Sequence, residues 1–234
     1  MGWKEDIDGW VNDILSTSFD ERDGRVVPDS ADVSNTEAVK LEAVFLYADL
    51  AQSSQLAQSC PWDTTAKIIR SYLYCATRLI RAYGGEVRSF DGDRVMGVFI
   101  GDQKNTHAAR CGREIFYCTD QVIAPKASKK FKSVSDADIK VKCCVGIDRS
   151  VSRAVRAGIR DNNDLIWIGR APSLAAKLSD VREYPFCVYI HKDVFNALPE
   201  GDQKSGEDSI WEKRSLKVAG ADHDVYRTKY YRLP

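Results

Sequence analysis

Histidine is scarce in this chain: only His107, His191 and His223 occur among 234 residues. With no Cys-x-x-Cys pair to join them, a zinc site of the usual spacing is excluded. The seven cysteines are scattered and odd in number, and the adjacent Cys143–Cys144 pair is poorly placed to bridge. Buried free thiols in a reducing compartment are therefore expected. Net charge is missing too, since 34 Lys and Arg balance 34 Asp and Glu. No global field marks nucleic acid or a membrane surface as the partner, and the basic run Lys126–Lys132 reads as a solvated loop. No apolar stretch approaches the ~18 residues that cross a bilayer, and no basic segment followed by an apolar run opens the chain. Neither a membrane span nor a signal peptide is predicted, and the plain expectation is a cytoplasmic protein.

What is present suits a globular chain: 44% apolar and 29% charged residues, in a length that fills one large α/β domain. Trp3 to Leu15 is predicted as an amphipathic helix with Trp3, Ile7, Trp10, Val11 and Ile14 on one face. Such a face needs something to bury against, either the domain or a second subunit. The polar stretch Ser16–Thr36 reads as an arm. Residues 1–36 are thus assigned to an N-terminal helix and arm, and residues 37–234 to the main domain.

That domain opens with the apolar run Ala43–Ala48, a central strand ending at Asp49. A helix follows from near Pro61, carrying Ile68, Ile69, Tyr72, Cys75, Leu79 and Tyr83 at three- and four-residue steps until Gly84-Gly85. Glu86–Phe90 and Arg94–Ile100 read as a hairpin around Asp91-Gly92-Asp93. Beyond a helix from Thr106 to Ile123 and a charged loop from Lys126 to Asp138, strands are predicted at Ile139–Ile147, Ser152–Gly158 and Leu165–Ile168, the last two joined by a turn at Asp161–Asp164. A helix at Ala171–Leu178, a strand at Phe186–Ile190 and two strands within Trp211–Arg227 complete the order. The pattern predicts an α+β fold with a mixed sheet and helices on one face.

Two acidic positions stand out. Asp49 directly follows six apolar residues and needs a partner or solvent. Asp93 sits at the hairpin tip, where an Asp by itself is an ordinary turn residue, as Asp91 is. If the hairpin pairs beside the first strand, the two carboxylates meet at one sheet edge and offer oxygen ligands to Mg²⁺ or Mn²⁺ together with substrate phosphates. Two such ions activate a hydroxyl and stabilise a leaving group in an in-line displacement.

From about Leu41 to Tyr226 the chain resembles the class III adenylyl and guanylyl cyclases. Tyr47-Ala-Asp-Leu50, the Gly92-Asp93 hairpin, Val145-Gly-Ile147 and Gly169-Arg-Ala-Pro-Ser-Leu-Ala-Ala-Lys177 carry the likeness. The resemblance implies a ferredoxin-like βαββαβ core with a mainly antiparallel sheet. It also implies two Mg²⁺ or Mn²⁺ ions per active site on Asp49, Asp93 and the Leu50 carbonyl. A head-to-tail homodimer is implied, one chain giving the metal ligands and the other the base and transition-state residues, Tyr47, Ser173 and Lys177. Ser173 and Lys177 stand where the family has a ribose-orienting Asn and a transition-state Arg. Ser can still bond a sugar oxygen, and Lys can still neutralise a phosphate as a point charge.

The base pocket departs further. Ser89 and Ile166 occupy the positions of the family's purine readers, so recognition of adenine or guanine in the usual way is not expected. Tyr47 replaces a Phe beside the base and adds a hydroxyl, and Arg94 can reach a pyrimidine carbonyl. A core tyrosine is an equal reading of Tyr47 by itself. These departures resemble the pyrimidine cyclases of the Pycsar antiphage systems, whose cyclic UMP or cyclic CMP is read by a separate effector. UTP is the favoured substrate over CTP. A purine cyclase with a diverged pocket and a degenerate, nucleotide-binding cyclase-homology dimer are the alternatives. Arg149, Arg153 and Lys217 lie near the family's triphosphate positions, with Ala219 in place of an expected Lys, and that role stays open.

Overall fold

The computed structural model describes residues 2–159, 162–218 and 220–234, so the turn at Asp161 and the position of Ala219 lie outside the described residues. The chain divides into two compact units, one of Met1–Leu41 with Ser152–Ile168, the other of Glu42–Val151 with Gly169–Pro234.

In the larger unit, β2 (Glu37–Ala51, begun in the smaller unit) leads through α2 (Ser53–Ser59) to α3 (Trp62–Ala82). The hairpin β3 (Glu86–Asp91) and β4 (Arg94–Phe99) follows, then α4 (Lys104–Tyr117) and β5 (Lys142–Ile159), whose far end belongs to the smaller unit. After β6 (Asn162–Ile168) come α7 (Arg170–Ser179), β7 (Val188–His191) and the short helices α8 (Lys192–Phe195) and α9 (Glu200–Gln203). The tiny hairpin β8 (Lys204–Ser205) and β9 (Asp208–Ser209) precedes β10 (Glu212–Val218) and β11 (Ala221–Thr228). The strand order is β10-β11-β7-β5-β2-β4-β3. Within it, β5-β2-β4-β3 with α3 and α4 as crossovers is the ferredoxin-like arrangement. β2 runs antiparallel to β4 and β4 to β3, whereas β5 and β7 are parallel.

Alternation along β2 sets the two faces. Val44, Leu46, Ala48 and Leu50 join the main core with Ile68, Tyr72, Ala76 and Ile80 of α3 and Ile115 of α4. Phe45, Tyr47 and Asp49 therefore point to the other side. The four-residue spacing of the buried α3 positions is what commits that segment to a helix against the sheet. Gly84, at φ +71°, stops it in the left-handed conformation that glycine tolerates without cost.

The expectation of helices on one face fails at α7. Its Leu174 and Leu178 form a second core with Val225 of β11 and with Cys144 and Tyr189, which alternate with the main-core positions on β5 and β7. A Cβ on Gly146 would stand 2.1 Å from the Ala175 carbonyl oxygen, so the backbone of α7 lies directly on that strand. Two further differences concern the middle of the chain. Where a charged loop was expected, α4 runs through a π-helix (Cys118–Ile123) into α5 (Ala124–Lys130) and α6 (Lys132–Asp136), because Ala127 and Val134 reach the core between the lysines. The segments read as strands before and after Arg149 are one long strand.

In the smaller unit, α1 (Trp3–Leu15) has no buried residue. β1 (Asp20–Asp23) pairs in parallel with Glu37–Lys40, so the arm is partly a strand, held by Arg22 Nε to Glu37 Oε1 at 2.7 Å. β6 pairs antiparallel with Arg153–Ile159. Among the described residues, no helix is long and apolar enough to cross a membrane.

Candidate active site

The register of β2, β4 and β3 assembles the site. Asp49 stands opposite Arg94, and Arg94 opposite Asp91; two residues back, Tyr47 stands opposite Met96, and Met96 opposite Ser89. Directly opposed residues share a face, and so do residues two apart. The two rows therefore lie side by side on the sheet face away from α3 and α4. A register shift between Val87 and Ser89 is what sets Ser89, and not Arg88, opposite Met96. Asp93 occupies the hairpin tip after Gly92, close enough that its charge acts on Asp49. Leu50 keeps its side chain in the core, so only its backbone can serve a ligand.

Asp49 is buried and is engaged by two guanidiniums. Arg182 Nη2 donates to Oδ2, and Arg94 Nε lies 3.8 Å from Oδ1. Burial raises the Asp49 carboxyl above the ordinary carboxylate value, and the nearby Asp93 charge raises it again; Arg182 and Arg94 oppose both. Arg94 also reaches Asp180 Oδ1 at 3.3 Å and Asp91 Oδ2 at 3.9 Å. Arg182 is tied down by donating to the Ser179 carbonyl at 2.7 Å. Tyr47 is half-buried, and desolvation pushes its phenol above its usual range, so it faces the site as a neutral hydroxyl.

The donor set suits a divalent cation of the magnesium type. Among the described residues no cluster of three or more His, Cys, Asp or Glu forms a cage. Asp49 and Asp93 instead present two mutually repelling carboxylates at an edge. A cation there relieves that repulsion and draws its remaining ligands from water and phosphate.

Ser173 and Lys177 stand one helical turn apart on the exposed side of α7, and neither makes a side-chain hydrogen bond or ion pair among the described residues. α7 covers the sheet face opposite α3 and α4, and Asp180 at its end reaches Arg94 Nη1 at 3.3 Å, but neither Ser173 nor Lys177 bonds Asp49 or Asp93 among the described residues. Ile166 lies on β6 in the smaller unit, about half exposed. Arg149 and Arg153 bond Glu42 and Glu21 respectively. What holds α7 is an ion-pair cluster on a buried acid: Arg170 Nε and Nη2 each donate to Asp148 at 3.0 Å, and Nη2 also reaches Asp193 at 2.8 Å. Asp148 is fully buried. Sequence reasoning missed Arg182 and Asp148. The need of Asp49 for a partner was a signal, but the partner lies 133 residues away.

No family model matches the chain. Full-length relatives do. The uridylate cyclase of Rhodovulum sp. (strain MB263) is 40% identical over 237 residues, covering 100% of this chain and 99% of that protein. The uridylate cyclase of Xanthomonas perforans is 36% identical, with 98% of each chain covered. That of Burkholderia cepacia is 36% identical over 90% of this chain and 91% of its own. Among solved structures, a bacterial light-regulated adenylyl cyclase matches with TM-score 0.67 at 20% identity, over 84% of this chain and 53% of its own length. The adenylyl cyclase CyaB from P. aeruginosa matches at TM-score 0.61 and 17% identity, over 82% and 95% of the two chains. The fold is thus that of the class III cyclases, and by identity along its whole length the chain belongs to the uridylate cyclase family.

Proposed function

We propose that the chain is a cytoplasmic uridylate cyclase that converts UTP to 3′,5′-cyclic UMP and pyrophosphate at the edge carrying Asp49 and Asp93. The observation that carries this reading is the pairing of the two side-by-side rows: carboxylates for a metal–phosphate centre in one, an aromatic phenol and a small hydroxyl in the other. In this reading Asp49, Asp93 and the Leu50 carbonyl hold two Mg²⁺ or Mn²⁺ ions. Bound there, the ions lower the pKa of the 3′-hydroxyl and neutralise the departing pyrophosphate. The 3′ oxygen attacks the α-phosphorus as the bond to pyrophosphate breaks, and the hydroxyl proton leaves to solvent.

The side chains divide the rest of the work. Tyr47 stacks on the base, and Ser89 is small enough to leave its edge open. Arg94 is donor-only; facing the 4-position of the base it matches the carbonyl of uracil and not the amino group of cytosine, whereas the 2-carbonyl is common to both. Ser173 orients the ribose and Lys177 takes up charge on the transferring phosphate. Both belong to a second copy in a homodimer, which accounts for their exposed, unbonded state here. Cyclic UMP then acts as a messenger for a separate effector in defence against phage.

The test is a product assay. Purified protein is incubated with each of the four ribonucleoside triphosphates and Mn²⁺ or Mg²⁺, and products are separated chromatographically. Cyclic UMP from UTP, lost in Asp49→Ala, is the expected result. Cyclic AMP or cyclic GMP as the main product, or no turnover at all, overturns the reading.

A further inference from the structure

Two apolar surfaces of this chain are left without a partner, and their charges are opposite. The first is α1. It presents Trp3, Ile7, Trp10, Val11 and Ile14 along one side, and Trp3 and Ile14 are each 71% exposed. Trp3 and Trp10 pack edge to face at 5.4 Å, so the stripe is preassembled and not splayed. Its flanks carry Glu5, Asp6, Asp8 and Asp13 against a single Lys4. None of these acids is ion-paired among the described residues.

The second surface is a groove of about 1030 Å³ along α3, lined from Ala66 to Ala82 and by Phe90 of β3. Ile69, Leu73 and Tyr74 form its apolar floor, and Arg70, Arg78 and Arg81 line it. Among the described residues none of these arginines pairs with a carboxylate; Arg78 only leans on the Tyr74 hydroxyl at 3.4 Å.

Size, polarity and sign agree. At 1.5 Å per residue, α1 is about 20 Å long and the groove about 24 Å. An amphipathic helix laid in an apolar groove is a standard recognition mode, and three free guanidiniums facing a helix of net negative charge fix which helix it is. Other occupants fit less well. A second α1 would bring like charges together. Helices that bind anionic lipid surfaces carry Lys and Arg on the polar face, the reverse of what α1 has.

We propose that α1 of one copy docks in the α3 groove of a second copy, with Trp10 as its central anchor. Exchanged reciprocally about a twofold axis, two such contacts close a dimer. This contact does not depend on the substrate assigned above.

The experiment uses full-length chains. An unlabelled chain with p-benzoylphenylalanine in place of Trp10 is mixed with a nitrogen-15-labelled chain that retains Trp10, then irradiated and mapped by mass spectrometry. Adducts joining an unlabelled α1 peptide to a labelled peptide from residues 66–82 are expected. Their yield should fall at least about tenfold when the labelled chain carries Arg70→Glu and Arg78→Glu, and return when the unlabelled chain also carries Asp6→Lys and Asp13→Lys. Circular dichroism of the reversed variants, expected to be unchanged, separates lost docking from lost folding. Absence of adducts, adducts confined to unlabelled peptides or to other labelled segments, or a yield indifferent to the charge reversal overturns the proposal.

Discussion

Asp49 is a carboxylate that burial and a neighbouring acid both disfavour as an anion, and it stays in place because Arg182 and Arg94 face it. Two consequences follow at this scale. In metal-free protein the Asp49 carboxyl is raised in the folded state, so its contribution to stability is intact below the ordinary value of 3.8 and is lost as pH rises through the raised value. Denaturant unfolding across that window should therefore fall less steeply with pH in Asp49→Asn than in the parent. Removing Arg182 takes away a charge that holds the carboxyl down. In metal-free protein Arg182→Ala should move the titration midpoint of the Asp49 carboxyl, followed by carbon-13 NMR, to higher pH, and Arg182→Lys should move it less; identical midpoints in all three proteins would rule out the electrostatic role. With Tyr47 stacked on the base as proposed, Tyr47→Ala removes a ring worth about 1–3 kcal/mol, so kcat/KM for UTP should drop roughly five- to 150-fold. An unchanged preference among triphosphates in that variant would place the base elsewhere.

α7 is the element on which positioning depends. Its backbone rests on Gly146, where a Cβ would also come within 2.5 Å of the Ser179 amide nitrogen. Neither neighbour is a flexible side chain, so Gly146→Ala has to displace the helix and should cost about 3 kcal/mol, measured by chemical denaturation. The Arg170 clamp on fully buried Asp148 is the second anchor. Arg170→Ala leaves an uncompensated buried charge and should destabilise by on the order of 3 kcal/mol, with Asp148→Asn in the same chain recovering part of the loss. Legibility divides along the same line. α3 was readable from its apolar steps of three and four residues, and β2 from the continuous apolar run Ala43–Ala48 that stops at Asp49; the structure then sorts those residues by face, burying 68, 72, 76 and 80 with 44, 46, 48 and 50. α5 and α6 were not readable, since single core contacts at Ala127 and Val134 are hidden among lysines. The face taken by α7 was equally hidden: apolar periodicity says that a helix has a buried side, but not which side of a sheet receives it.

For the whole molecule the decisive question is where a complete active site resides. Ser173 and Lys177 are exposed on α7, which packs on the same sheet face as the carboxylates, and they bond nothing among the described residues. If two copies share each site, Asp49→Ala and Lys177→Ala chains, each inactive alone, regain activity on mixing. Random pairing makes half the dimers mixed with one sound site each, so about a quarter of wild-type activity is expected. No recovery after subunit exchange, checked by mass of the mixed dimer, would confine each site to one chain.

Contiguous residues were enough to point to the family: an acid where an apolar strand ends and another at a Gly-Asp turn are local features, and the full-length relatives bear the family out. Element order and the βαββαβ core followed for the same reason, because period and turn chemistry are short-range. The tertiary structure alone decided which side chains converge. A one-residue shift in β3 set Ser89 opposite Met96 and beside Tyr47, and a segment 133 residues away delivered Arg182 to Asp49. Register and long-range pairing depend on how whole surfaces fit together, and that fit has no signature in any stretch of neighbouring residues.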